Sequence, residues 1–133
     1  MATYPLSEAY LDGDVLSAAD YNATNEGVND LAFGQLNAKT ASYTLALTDV
    51  AKVITMTVGS ANNLTVPPNS SVAFPIGTQV LVYQGGAGLT TIVAGAGVTV
   101  RTQTGLKMGG QYAVAGLLKL ATDEWVAFGN LTA

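Results

Sequence analysis

The side chains that could carry acid–base, nucleophilic or metal chemistry in this chain are few and scattered. Its 133 residues include nine acids, five bases, no histidine and no cysteine. Histidine is the usual general base near neutral pH, and cysteine is the strongest nucleophile among side chains. A glycan hydrolase needs two carboxylates facing each other across a cleft, and after residue 38 only Asp49, Asp123 and Glu124 are acidic. The sequence therefore predicts no enzymatic activity and no catalytic residues.

Two other patterns have some residue types of a binding site but lack the rest of its motif. Asp12 and Asp14 have the spacing of the first two ligands of a calcium loop, yet the ligands at the fifth and twelfth positions of such a loop are missing. The run Gly85-Gly86-Ala87-Gly88 lacks both the G-x-G-x-x-G spacing and the Lys-Ser/Thr ending of a phosphate-binding loop. No helical pattern follows this run, so a tight hairpin is expected there. We expect no cofactor and no bound metal, and a melting temperature that chelators leave unchanged.

Acidic charge is concentrated at the start of the chain. Residues 1–38 hold six acids and no base, a net of −6, whereas residues 39–133 hold three acids and five bases, a net of +2. The acidic segment is either a solvated helix beside a nearly neutral body or a foot that docks on a basic partner. The overall charge of −4 argues against a nucleic-acid partner. No apolar run is long enough to span a bilayer, and the start lacks the basic residues of a signal peptide.

The first 41 residues are predicted to form an extended arm followed by a short helix. Pro5 and the turn at residues 12–14 prevent an earlier helix, and Ser17 followed by Asp20 is a variant of the helix-capping signature. Apolar and threonine residues then recur at spacings of three and four, the rhythm of a helix seam: Tyr21, Thr24, Val28 and Leu31. This seam packs either on the chain's own β domain or on symmetry mates.

From Ser42 to Ala133 the hydrophobic period changes to two, which indicates β-strands. Glycine-rich turns separate about eight predicted strands, at 43–48, 52–58, 63–66, 79–84, 89–94, 97–101, 111–120 and 124–128. We expect a mainly β domain, either an antiparallel β-sandwich or a barrel-like structure. Its predicted core consists of Leu45, Leu47, Val53, Ile54, Val80, Val82, Ile92, Leu118 and Trp125.

The β domain resembles a module that recurs in virion proteins of tailed bacteriophages. The resemblance covers about residues 42–131, and its most specific part is the stretch from Pro67-Pro68-Asn69 to Phe74-Pro75-Ile76-Gly77-Thr78. Residues 14–22 resemble a short element that often opens phage tail-fibre and appendage proteins, where it leads into a helix that bundles with its symmetry mates. The family is defined by presence in the particle, so the resemblance implies no catalytic residue.

The resemblance implies a non-enzymatic structural component of the phage particle, a homotrimeric tail-fibre or capsid-decoration protein made in the bacterial cytoplasm and incorporated into the virion. Its partners would be copies of itself and other virion proteins of the capsid, the portal or tail, or a fibre. The segment expected to attach it contains Tyr4, Leu6, Tyr10, Leu11, Asp12 and Asp14. The alternative is a receptor-binding module at a fibre tip that binds host surface glycans through tyrosine and tryptophan side chains in loops.

Overall fold

The computed structural model describes residues 35–133, which form a mainly β structure. Within this range there are eleven strands and one short 3₁₀ helix at Leu47–Asp49. The strands are β1 Gln35–Lys39, β2 Tyr43–Thr44, β3 Lys52–Met56, β4 Asn62–Val66, β5 Gln79–Gln84, β6 Thr90–Ala94, β7 Thr99–Thr102, β8 Lys107–Met108, β9 Val114–Ala121, β10 Glu124–Gly129 and β11 Leu131–Thr132. The prediction of a mainly β domain is confirmed. The predicted N-terminal arm and helix lie outside the described residues.

The strands form two facing sheets, and the chain alternates between them. One sheet has six strands in the order β1-β3-β5-β9-β10-β7, and the other has five in the order β11-β8-β6-β4-β2. In the six-stranded sheet β1, β3 and β5 are parallel neighbours, and in the five-stranded sheet β2, β4 and β6 are parallel neighbours. Each odd strand and the even strand after it therefore make one turn of a solenoid-like winding.

The later strands close this winding with mostly antiparallel pairs. Strand β9 runs antiparallel to β5, and β10 runs antiparallel to β9. Strand β7 is parallel to β10, whereas β8 pairs antiparallel with both β6 and β11. Both sheets are therefore mixed, with the parallel pairs concentrated in the first half of the described chain.

The prediction of an antiparallel sandwich or barrel was wrong for the pairs from β1 to β6. A period of two shows that a strand has two faces, but it carries no information on the direction of the neighbouring strand. Parallel neighbours need a crossover connection, which is usually a helix. Here a strand of the opposite sheet serves as the crossover, so short loops suffice. The glycine run after β5 accordingly leads from one sheet to the other and is not a hairpin.

The glycine run is needed because consecutive turns of the winding stack closely. The backbone N–H of Gly86 donates to the carbonyl of Met56 at 3.0 Å, and that of Gly88 donates to the carbonyl of Val58 at 2.9 Å. A Cβ added at Gly86 or Gly88 would overlap the backbone of Val58 or Ser60, respectively. Only glycine allows two backbones to approach this closely.

The core lies between the two sheets and is built from inward-facing residues of both. Its sixteen members are Leu45, Ile54, Met56, Leu64, Val66, Phe74, Val80, Val82, Ile92, Met108, Ala113, Ala115, Leu117, Trp125, Ala127 and Leu131. The rings of Phe74 and Trp125 meet edge to face with centroids 5.4 Å apart, a favourable aromatic arrangement. Six of the predicted core residues are confirmed by their burial: Leu45, Ile54, Val80, Val82, Ile92 and Trp125.

Three predicted core residues do not belong to the core. Leu47 is 55 % exposed, because it lies in the 3₁₀ turn and not in a strand. Val53 and Leu118 are partly exposed, because they point away from the facing sheet while their neighbours Ile54 and Leu117 point inward. Consecutive residues of a strand face opposite sides, so Val53 and Ile54 could not both be core residues.

Strand β1 begins earlier than the change of period at Ser42 indicated. Residues Gln35 to Lys39 pair in parallel with Lys52 to Met56. The period was missed there because only Leu36 and Ala38 are apolar in β1, and both point outward. The two-residue strands β8 and β11 were also missed, because so short a segment shows no alternation.

Candidate interaction surface

A buried carboxylate joins the two sheets at the first turn of the winding. Asp49 is fully buried. Its carboxylate accepts hydrogen bonds from Asn37 Nδ2 at 2.7 Å, from the Tyr43 hydroxyl at 2.6 Å and from the Ala46 backbone N–H at 2.8 Å. Asn37 lies in β1 of the six-stranded sheet and Tyr43 in β2 of the five-stranded sheet. A buried charge is tolerated when it is hydrogen-bonded in this way, so the role of Asp49 is to fix the backbone.

The environment of Asp49 changes the acidity of Tyr43. Burial, the hydrogen bond to Asp49 and the negative charge of Asp49 together raise the pKa of the Tyr43 phenol to about 12. The Lys39 ammonium lies 4.2 Å from the centroid of the Tyr43 ring, in a cation–π contact. The phenol therefore stays protonated and donates to the carboxylate at neutral pH, which makes it unsuited to act as a base.

A second buried network shapes the glycine-rich turn after β5. Gln84 Nε2 donates to the carbonyls of Gly86 and Gly88, and Gln84 Oε1 accepts from the Thr90 N–H at 2.9 Å. The Thr90 hydroxyl donates to Asn62 Oδ1 at 2.6 Å. All three side chains are buried. They satisfy polar backbone groups that the tight stacking removes from water.

A third network contains a buried lysine. Lys119 is 2 % exposed, and its ammonium donates to Asn69 Oδ1 at 2.6 Å and to the Phe74 carbonyl at 2.8 Å. The Asn69 backbone N–H donates in turn to Asp123 Oδ1 at 2.6 Å. Lys119 thus ties the long loop of residues 67–78 to β9, and Asp123 ties the same loop to the turn between β9 and β10.

The carboxylates of residues 35–133 are all engaged by donors of the chain itself. Glu124 forms an ion pair with Arg101, at 2.8 Å between Oε2 and Nε, while Asp49 and Asp123 bind the groups described above. This part of the chain contains no group of three or more His, Cys, Asp or Glu residues that could hold a metal ion. It also contains no helix long and apolar enough to cross a membrane.

The most distinctive surface is the outer face of the six-stranded sheet. Five strands each place one residue in a single row across this face, in register. From β1 through β3, β5 and β9 to β10 these residues are Leu36, Val53, Leu81, Gly116 and Phe128. The rows above and below, which Thr55 and Gln79 interrupt, add further apolar side chains: Ala38, Tyr83, Val114, Leu118, Leu120 and Val126. We call this set of residues the apolar face.

Several members of the apolar face are largely open to solvent. Leu36 is 70 % exposed, Phe128 49 %, Leu120 45 % and Val114 43 %. The charged strand residues beside the apolar face, Arg101 in β7 and Glu124 in β10, lie at one edge of it and pair with each other. Soluble proteins seldom leave a contiguous apolar patch uncovered unless it is an interaction site.

The outer face of the five-stranded sheet has a different composition. Its outward residues are mostly threonines and other polar side chains: Thr44, Asn63, Thr65, Thr91, Val93, Lys107 and Thr132. We call this set the threonine face. Threonine combines a β-branched side chain, which suits a strand, with a hydroxyl that water can solvate. This face therefore has no need of a partner.

The residues singled out from the sequence fall into two groups. The predicted attachment residues and helix seam lie outside the described residues: Tyr4, Leu6, Tyr10, Leu11, Asp12, Asp14, Tyr21, Thr24, Val28 and Leu31. Trp125, the single tryptophan of the chain, lies in β10 within the core as predicted, and at 1 % exposure it is not available for stacking on a sugar. Tyr112, by contrast, is 68 % exposed in the turn between β8 and β9.

The apolar face was not identified from the sequence, although a signal for it was present. Val53-Ile54, Val80-Leu81-Val82 and Leu117-Leu118 are consecutive apolar residues within strands. Because neighbouring residues point to opposite sides, such runs indicate strands that are apolar on both faces.

No protein-family model matches the chain, and neither the curated proteins nor the solved structures contain a match to it.

Proposed function

We propose that this chain is a non-enzymatic structural component of a phage particle, a homotrimeric fibre or decoration protein that is anchored by its N-terminal segment. The observation that carries the proposal is a wound β body whose buried charged groups are hydrogen-bonded to side-chain and backbone groups of the chain itself, combined with one apolar outer face. Such a body offers surface for packing. The resemblance of residues 42–131 to a phage virion module supports the assignment to a particle.

The direct test of this function is to find the chain in purified particles. Particles of a phage that encodes it are purified, analysed by quantitative mass spectrometry and imaged with a label on the C-terminus of the chain. We expect a fixed number of copies per particle, in multiples of three, at one position on the head, tail or fibre. Absence of the chain from particles that are otherwise complete would refute the proposal.

The anchoring role of the N-terminal segment has its own test. A chain lacking residues 1–34 keeps all of β1, whereas a cut after residue 38 would remove most of that strand. We expect the shortened chain to be β-rich, soluble and cooperative in melting, but to be missing from particles. A shortened chain that still enters particles would place the attachment surface in the β body.

Attachment of the full chain should weaken with salt if the acidic residues of the segment, such as Asp12 and Asp14, dock on a basic partner. The screening length falls well below ~10 Å at several hundred millimolar salt. Attachment that does not change with salt would instead indicate that apolar residues such as Tyr4, Leu6, Tyr10 and Leu11 form the anchor.

One observation favours a second candidate function, a glycan-binding module at a fibre tip. Tyr112 is 68 % exposed and has a φ of 73°, a backbone conformation that is rare for a residue other than glycine. Its ring is available for stacking on a sugar. A glycan array probed with the full chain and with Tyr112→Ala tests this: binding that the variant loses supports the second function, and no binding by the full chain refutes it.

A further inference from the structure

We infer that the apolar face is the surface through which copies of this chain pack on one another. The inference deepens the proposed function, because it assigns to particular residues the subunit contact that a homotrimer requires. The apolar face belongs to the described β body, so it is distinct from the predicted helix seam at Tyr21, Thr24, Val28 and Leu31.

Charge decides which kind of partner the apolar face fits. Its only charged strand residues, Arg101 and Glu124, already form an ion pair at one edge. A phosphate-rich partner, an acidic peptide or a basic peptide would find no excess of opposite charge there. A second copy of the same face is neutral and apolar, and it presents an identical pair of opposite charges at its edge. Copies that turn this face toward a three-fold axis therefore cover it without burying an unpaired charge, because Arg101 and Glu124 stay paired within each copy.

The size of the face indicates how strong this contact is. Five strands with five-residue segments cover about 24 Å by about 17 Å, a planar area of ~400 Å². That is the size at which an exposed apolar patch marks an interaction site. It is also about half of the ~800 Å² that each partner contributes to a standard stable interface. The face alone therefore predicts association that reverses on dilution, with any further stability coming from elsewhere in the chain.

Leu120→Glu in the full chain tests the contact directly. Leu120 is 45 % exposed and points outward from β9, so a carboxylate there stays in water in the free chain and is desolvated in the assembly. Sedimentation velocity should show the native chain near three times 13.5 kDa and the variant near 13.5 kDa at the same micromolar concentration. The matched control is Thr44→Glu on the threonine face, which should leave the mass of the assembly unchanged.

A second measurement keeps the test valid if Leu120→Glu fails to fold. The natural chain has no cysteine, so Leu36→Cys or Leu120→Cys introduces a single thiol whose reaction with a maleimide reports on coverage. The rate should be about tenfold lower at a concentration where some nine-tenths of the copies are assembled than after dilution, because it follows the fraction of free copies. A Thr44→Cys thiol should react equally fast at both concentrations.

The outcomes separate this inference from the proposed function. A native chain that is monomeric at all concentrations, or a Leu120→Glu chain that keeps the native mass, overturns the inference. Thiols at positions 36 and 120 that react equally fast at all concentrations overturn it too. If the thiols at positions 36 and 120 are protected from the maleimide only when phosphatidylcholine–phosphatidylglycerol vesicles are added, the partner is a lipid surface, and this result also overturns the inference. Absence of the chain from particles refutes the proposed function but leaves the concentration dependence of mass and thiol reactivity to be judged separately.

Discussion

The two outer faces of the β body differ sharply although they cover the same core. Most inward residues of both sheets are apolar and almost fully buried, as with Leu117 on one side and Leu64 on the other, and the buried polar ones, such as Gln84 and Lys119, are hydrogen-bonded. Outward, one sheet presents leucine, valine and phenylalanine, and the other presents threonine and asparagine. The core needs only one apolar face from each sheet. The outward apolar residues of the six-stranded sheet are therefore in excess of what the core requires.

The two outer faces also differ in how well water can solvate them. A chain with only 11 % charged residues has little charge to oppose association. On the threonine face hydroxyls and the single charge of Lys107 provide hydration, whereas the apolar face leaves leucine, valine and phenylalanine side chains in contact with water.

The largest effect expected from the comparison concerns two adjacent leucines of β9. Leu117→Ala removes a side chain that is 0 % exposed and should lower the free energy of unfolding by about 2–5 kcal/mol. Leu118→Ala, on the outward side of the same strand, should cost clearly less in the dissociated chain. Urea unfolding at two protein concentrations checks this, because the cost of Leu118→Ala should grow when copies assemble. Equal costs for both variants in the dissociated chain would contradict the assignment of the two faces.

A smaller effect is expected where Tyr43 and Asp49 join the two sheets. Tyr43→Phe removes a hydrogen bond to a buried carboxylate and should cost about 1.5–3 kcal/mol near pH 7. The pKa of Tyr43 is about 12 in the folded chain and about 10 when unfolded. Between these two pKa values the Tyr43 phenol is deprotonated in the unfolded chain but still protonated in the folded chain. The stabilisation by the Tyr43–Asp49 hydrogen bond therefore falls as pH rises from about 10 to 12. Denaturant unfolding of the native chain and of Tyr43→Phe from pH 8 to 12 should show that the difference between their free energies of unfolding narrows only in that pH range. A difference that stays constant to pH 12 would contradict the raised pKa.

An effect of intermediate to small size is expected inside the apolar face itself. The Phe128 ring covers Gly116, and a Cβ at position 116 would overlap the ring. Gly116→Ala should therefore destabilise the chain by about 1–3 kcal/mol. In a Phe128→Ala background the same change should be neutral or slightly stabilising, since alanine restricts the unfolded chain more than glycine does. A double-mutant cycle measured by thermal unfolding tests this coupling; additive effects would show that the ring does not rest on Gly116.

The smallest effect is expected on the threonine face. Thr91→Val replaces an outward hydroxyl in β6 by a methyl group of similar shape, and should change the free energy of unfolding by less than about 0.5 kcal/mol. It should also leave the mass of the assembly unchanged in sedimentation. A shift to larger assemblies would mean that the threonine face contributes to association as well.

Much of the strand pattern could be predicted because local rules decide it. Strand β5 has the predicted bounds of residues 79–84, and β4 ends at Val66 as expected from the two prolines that follow. The segment 111–120 was correctly assigned as a strand despite its helix-compatible composition, since β9 spans Val114–Ala121. The buried positions Ile54, Val82 and Trp125 follow from alternation. Leu47 and Leu118 were misplaced because the sequence does not show where a strand stops or which of two apolar neighbours turns inward.

The buried polar networks could not be predicted, because they depend on residues far apart in the chain. Lys119 bonds to Asn69 across 50 positions, and Thr90 bonds to Asn62 across 28. In the sequence Lys119 is one of five basic residues, and no local pattern distinguishes it from a surface charge. Its burial is favourable only because the loop of residues 67–78 provides acceptors for the ammonium.

The amino-acid sequence by itself determined that this chain is mainly β, that it has no histidine or cysteine, and, to within a few residues, where eight of the eleven strands of residues 35–133 lie. These properties depend on composition and on the period of two, which are local. Only the tertiary structure decided that the first six strands wind in parallel and that the chain alternates between two sheets. It also decided that Val53, Leu81 and Leu118 face outward. The direction of a neighbouring strand and the side that becomes the core are set by which sheet faces which, and no local pattern encodes that choice.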